Sequence, residues 1–129
     1  MILPTSYNIV ETWDFGDGEL AEKLKNLVLS GVKTATTGIY RDGQFVPKVG
    51  DHAQIADQNK KPFCVIKYTK VEVKKFMEVG YDFARLEGEG DKSIEDWRNS
   101  HRTYFKKYYK SFEDNSLVIC EEYELISVI

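Results

Sequence analysis

The stretch from Phe63 to Val73 constrains the fold most, because its residues favour strand while their apolar phase slips partway along. Cys64, Ile66 and Tyr68 belong to one face, whereas Val71 and Val73 belong to the other. A regular strand alternates its side chains strictly, so a bulge or corner near Thr69-Lys70 is needed to bury both sets. Strands that turn corners are typical of small barrels, and Leu117 to Val128 reads as a last strand that closes the chain.

Helical signals accompany these strands. Asp17 can cap a first helix, Glu19 and Glu22 suit its positive end, and Leu20, Leu24, Leu27 and Val28 mark one face before Gly31 ends it. Thr34 to Tyr40 then favours strand, Arg41-Asp42-Gly43-Gln44 supplies turn chemistry, and Phe45-Val46 resumes an extended path, which predicts a hairpin. After Pro47 and Gly50, His52 to Asp57 reads as a short strand and Gln58 to Lys61 as its turn. Tyr81 to Leu86 predicts a short helix halted by Gly88 and Gly90. Ser93 begins a stronger one, with Asp96 three residues on and a stripe of Ile94, Trp97, His101, Tyr104, Phe105, Tyr108 and Phe112. Short strands, two substantial helices and no regular βαβ alternation give an α+β fold with a curled antiparallel or mixed sheet.

At 129 residues the chain can bury one core, so a single domain over 1–129 is expected. Its formal charge of −3 disfavours polyanion binding by the whole surface, and no apolar run approaches the roughly 20 residues of a membrane-spanning helix. Met1-Ile2-Leu3-Pro4 lacks the basic and apolar segments of a secretion signal, so a cytoplasmic address is expected. Cys64 and Cys120 sit in apolar runs and read as small core residues, and a cytoplasmic address argues against a disulfide between them.

Three constellations can carry chemistry. In Gly31-Val32-Lys33-Thr34-Ala35-Thr36-Thr37 a lysine and three hydroxyls crowd where a helix gives way to a strand. Lys33 there can hold an anion or, if desolvated, act as a base, and a nearby threonine can serve as nucleophile. The plain alternative is a solvated lysine beside strand-favouring threonines. Positions 33 and 36 of a regular strand point to opposite faces, so a shared site requires Lys33 to sit in the turn. Glu87-Gly88-Glu89-Gly90-Asp91 offers three carboxylates that can ligate a divalent cation, a reading weakened by the absence of the longer calcium-loop pattern, or present one carboxylate for acid or base work; the plain alternative is a solvated acidic loop. The helix from Ser93 opposes its apolar stripe with Arg98, Arg102, Lys106, Lys107 and Lys110, a phosphate-binding face or simply a solvated one. His52 and His101 form no ligand-spaced pair, and His101 falls on the core stripe, which suits a hydrogen-bonded structural role.

In order along the chain stand Trp13-Asp14-Phe15-Gly16-Asp17, Gly31-Val32-Lys33-Thr34-Ala35-Thr36, Pro47-Lys48-Val49-Gly50-Asp51, Phe83 to Asp91 and Trp97-Arg98-Asn99-Ser100-His101. Together they resemble the ASCH domain family, in its longer bacterial branch. The resemblance implies a PUA-like fold, a small β-barrel with flanking helices, and a cleft suited to RNA or a modified nucleoside. A shorter branch includes the bacterial N4-acetylcytidine amidohydrolases, whose lysine, threonine and glutamate pattern falls here on Lys33, Thr36 and Glu87. By that likeness Lys33 accepts a proton from Thr36, Thr36 attacks the acetyl carbonyl, and Glu87 protonates the leaving nitrogen. Thr34, Tyr40, Arg41, Glu89 and Arg98 are the accompanying candidates for substrate contacts; the arginine that follows the threonine closely in the short enzymes is here delayed to Arg41. The implied function is hydrolysis of a modified nucleoside or RNA, with a noncatalytic RNA-binding module or a ribonuclease as alternatives. Neither a metal nor another cofactor is expected, and the sequence assigns no oligomeric state.

Overall fold

In the computed structural model, which describes residues 7–90 and 93–129, the segment with the slipping phase is one long strand, β4 (Pro62–Lys75). It runs antiparallel to β5 (Leu117–Val128) along almost its whole length. Their register shifts between Tyr68 and Lys70, at the expected corner. The extra residue lets Cys64, Ile66 and Tyr68, all fully buried, face one core while Phe76, beyond the corner, enters another.

The remaining strands are β1 (Ile9–Asp14), β2 (Ala35–Ile39) and β3 (His52–Ala56), and the sheet order is β1-β3-β4-β5-β2. Only the β1–β3 pair is parallel, so the sheet is mixed. Among the described residues its two end strands, β1 and β2, make no ladder with each other; the α+β class holds, and the sheet stays open where a closed barrel was expected. The hairpin predicted after Thr34 is also replaced. The turn forms, with Gln44 N donating to Arg41 O at 3.0 Å, but β2 pairs with β5 and Phe45-Val46 form no strand. Pro47 lacks a ladder donor and disfavours a return strand, whereas β5 offers β2 five successive partners, Val118 to Glu122.

Helix α1 (Gly18–Leu29) follows Asp17, which occupies the N-cap without a side-chain cap bond, and buries Ala21, Leu24 and Val28. Gly31, at φ +81°, ends it. A 3₁₀ turn at Phe76–Glu78 leads to the short α2 (Tyr81–Ala84), and a second 3₁₀ turn, Arg85–Glu87, stops at left-handed Gly88. Helix α3 (Ile94–Tyr108) begins where expected, Ser93 accepting from Asp96 N at 3.1 Å. Its stripe divides: Trp97 and Phe105 are buried with Phe76 and Phe112, while Tyr104 and Tyr108 stay exposed beside a cavity. No helix among the described residues is long and apolar enough to cross a membrane.

Candidate functional site

Two main-chain features bring the lysine-threonine segment to the acidic loop. Thr34 N donates to Leu86 O at 2.8 Å, tying the approach to β2 to the second 3₁₀ turn. Gly88 then turns the chain at φ +66°, so close to the other segment that a Cβ there would lie 2.5 Å from Val32 O. Gly88→Ala is therefore expected to cost about 2–3 kcal/mol in denaturant unfolding, through backbone strain and displaced neighbours. Gly90→Ala, also at positive φ but with no atom within 4 Å, should cost about 1 kcal/mol.

Lys33 sits in the turn before β2, 2% exposed, with Nζ 3.3 Å from Glu87 Oε1 and 2.9 Å from Glu89 Oε2. Glu87 is the hub. Its Oε1 also meets His101 Nε2 at 3.2 Å, and its Oε2 accepts from Thr37 Oγ1 at 2.7 Å and Trp97 Nε1 at 3.0 Å. Two contacts on each oxygen fill the lone-pair positions of an ionised carboxylate. His101 Nδ1 faces Trp97 O at 2.9 Å, a group that can only accept, and Nε2 faces the Glu87 carboxylate. Both ring nitrogens must donate, which makes His101 an imidazolium.

The electrostatics agree with this geometry. Burial works against the charge of Lys33, but Glu87, Tyr123 and Glu89 outweigh it, and its amine is held above the ordinary lysine range. Burial likewise opposes ionisation of Glu87, yet Lys33 and His101 hold its carboxyl well below the usual value. Glu89 goes the other way: burial and the neighbouring Glu87 charge raise it despite Lys33. His101 is raised, Glu87 overcoming the cost of burial. Glu87, Glu89 and His101 place ligand-type atoms within 4.8 Å of one another, the grouping a metal ion favours. The Lys33 ammonium already contacts both carboxylates and both His101 nitrogens act as donors, so the donor set suits a resident lysine cation.

This cluster forms one wall of a cavity of about 650 Å³. Aromatic side chains including Trp13, Phe15, Tyr104 and Tyr108 line much of the rest. Thr36 also lines this cavity; among the described residues its hydroxyl bonds to neither Lys33 nor Glu87. It stands opposite Glu121 in the β2–β5 pairing, whereas Thr37 stands opposite Cys120, so the two threonines point to opposite faces. Thr37, grouped at first only as one of three hydroxyls, is the one that reaches Glu87.

The other candidates divide. Glu89 lines the cavity and is 24% exposed at its side chain. Thr34 is spent on Leu86 O through its backbone and, at 3.5 Å, its hydroxyl. Tyr40 and Arg41 line a neighbouring hollow of about 320 Å³, where the Arg41 guanidinium lies 4.3 Å from the Tyr109 ring centre. Arg98 donates to Met77 O at 3.2 Å and Val79 O at 3.1 Å, clamping the first 3₁₀ turn away from the cavity. Asp91 lies outside the described residues.

Comparison with known proteins follows the same outline. Among solved structures, a protein of Enterococcus faecalis is 29% identical with a TM-score of 0.80, over 94% of this chain and 82% of that one. The ASCH domain of Lactobacillus crispatus is 28% identical with a TM-score of 0.78, over 92% and 80%. An ASCH protein of Zymomonas mobilis, at 10% identity and TM-score 0.54 over 94% and 73%, shares the fold alone. Curated proteins provide no match. The family model for the ASCH domain matches residues 11–127, from the first strand into the last, and on that match the chain belongs to the ASCH domain family.

Proposed function

We propose that the cavity is the substrate site of a hydrolase acting on a modified nucleoside, with the N4-acetyl amide of N4-acetylcytidine as the bond cleaved. The observation that carries this reading is a buried lysine ammonium, held by two carboxylates, in the wall of an aromatic-lined cavity that also exposes the Thr36 hydroxyl. Aromatic walls suit a stacked base, and a fixed cation suits the charge that develops on a carbonyl oxygen under attack.

The roles follow from the protonation states. Lys33 enters the reaction charged, so it stabilises the tetrahedral oxyanion rather than accepting a proton. Glu87, with both oxygens occupied by donors, has no proton to give and anchors the cluster. Glu89, with its raised carboxyl facing the cavity, is the proton carrier. Thr36 Oγ1 attacks the acetyl carbon and its proton passes to Glu89; the C–N bond breaks as Glu89 returns the proton to N4, releasing cytidine. Water then hydrolyses the acetyl-threonine ester to acetate and restores the hydroxyl.

Charge favours a nucleoside over an RNA chain. Glu11, Asp14, Glu87 and Glu89 line the cavity against the cations Lys33 and His101, a setting that disfavours phosphate. The basic face of α3 is also partly committed, since Arg102 pairs with Asp114 at 3.0 Å and Arg98 holds backbone carbonyls. The purified chain should release cytidine and acetate from N4-acetylcytidine, followed by chromatography, and Thr36→Val should slow release at least about 100-fold. Absence of release by the wild type overturns the hydrolase reading. Salt-sensitive RNA binding without release, weakened by neutralising Arg98, Arg102 and Lys106, would favour the binding-module alternative.

A further inference from the structure

Glu121 plays no part in the scheme above, yet it is a carboxylic acid only 8% exposed on the face of β5 that carries Thr36 as its cross-strand neighbour. It lines the cavity, and among the described residues no donor is placed on its carboxyl. Glu11 lines the same cavity from β1. Its Oε2 accepts from Tyr68 Oη at 2.8 Å, and Tyr68 Oη in turn accepts from Trp13 Nε1 at 3.0 Å. That relay of donors leaves Glu11 an oriented acceptor.

We propose that Glu121 and Glu11 form a second polar pole of the cavity, which recognises the ligand by a paired acceptor and donor edge such as a pyrimidine base presents. Burial and the Glu11 charge push the Glu121 carboxyl up to about 8, so near neutrality it carries its proton and donates it to a ring-nitrogen or carbonyl acceptor. Glu11 accepts from the adjacent N–H. The Glu121 carboxyl lines the cavity with no protein donor placed on it, so a bound ligand can take up its hydrogen-bonding capacity, which is the reason to assign it to recognition. This assignment rests on the cavity being the substrate site and specifies which edge of the base is read there.

The titratable groups facing Glu121 are Glu11 from β1 and Tyr68 from β4; on β2 its neighbour Thr36 does not titrate. Tyr68 is raised far from the neutral range by burial, and His101 belongs to the Glu87-centred cluster. Calorimetry of the full chain with cytidine, which undergoes no amide cleavage, tests the proposal separately from catalysis. At pH 6.5, E121Q, which keeps a donor and an acceptor, should bind within about twofold of wild type, and E121A about tenfold more weakly. From pH 7 to 9.5 the wild type should lose about tenfold as the Glu121 proton leaves, while E121Q loses nothing comparable. If E121A fails to fold, the pH comparison between wild type and E121Q decides alone. Equal affinity for folded E121A, or the same alkaline loss in E121Q, overturns the proposal even if N4-acetylcytidine is turned over. Glu121-dependent binding without turnover upholds it and removes the hydrolase; no binding of cytidine or N4-acetylcytidine overturns both.

Discussion

Lys33→Met is expected to lower turnover of N4-acetylcytidine by about 10²–10³-fold with a much smaller change in KM, because the ammonium acts on charge that exists only in the transition state. Methionine nearly fills the space of the lysine stem, so the loss is chiefly electrostatic. Structurally the same change leaves Glu87 and Glu89 facing each other without their shared cation. Glu89, already raised, should then take up a proton and limit the loss of stability. The double variant Lys33→Met/Glu89→Gln makes that neutral state permanent. It should recover much of the stability in denaturant unfolding and none of the turnover. Recovery of turnover would show that Lys33 is an ion-pair partner and not part of the chemistry.

Glu87→Leu should be the most destabilising single change, at about 3–5 kcal/mol, because it removes one of the two carboxylates on a buried ammonium and the partner of an imidazolium, an indole N–H and a hydroxyl at once. Against a typical total of about 5–15 kcal/mol, the variant stands close to unfolding at room temperature. Acid should mimic it gradually. The Glu87 carboxyl is depressed from the ordinary 4.5 to about 2 in the folded chain. A depressed acid stabilises the fold fully above its unfolded value and loses that contribution as pH falls through the folded one. The Glu87 share of wild-type stability should therefore fade between about pH 4.5 and 2, and Glu87→Gln should lack that part of the acid limb. Unfolding midpoints of both proteins across this range provide the check, and an unchanged limb in Glu87→Gln would assign the acid sensitivity elsewhere.

Local rules account for the elements that became regular. The Ser93 cap, the corner near Lys70 and the final strand all follow from short-range pattern, and each forms as read. The first strand was missed: Ile9 to Asp14 becomes a strand by parallel pairing with His52 to Ala56, a distant contact that no local window contains. The hairpin failed for the converse reason, since the turn at Arg41–Gln44 formed but β5 outcompeted the residues near Pro47. At the site, family likeness singled out Lys33 and Glu87, and the backbone tie between Thr34 and Leu86 explains their meeting. His101 was read as a hydrogen-bonded core residue, and its bonds prove to run to Trp97 and Glu87. Thr37 is not singled out from the three hydroxyls in the sequence because strand parity alone does not say which face meets the acidic loop. Glu121 left a usable signal: it shares one face of β5 with Ile119 and Tyr123, a carboxyl among buried side chains, in a stretch whose other face carries buried Val118 and Cys120.

The open edges of the sheet bear on how a ligand gets in. Trp13 on β1 and Thr36 to Ile39 on β2 both border the cavity, yet these strands share no ladder, and the half-exposed Phe45 joins them at its rim. Separation of the two edges would widen the entrance without rupturing a single interstrand hydrogen bond between them. Widening there leaves every ladder of the sheet intact, and with it the strand and turn that hold Thr37 and Lys33 against Glu87.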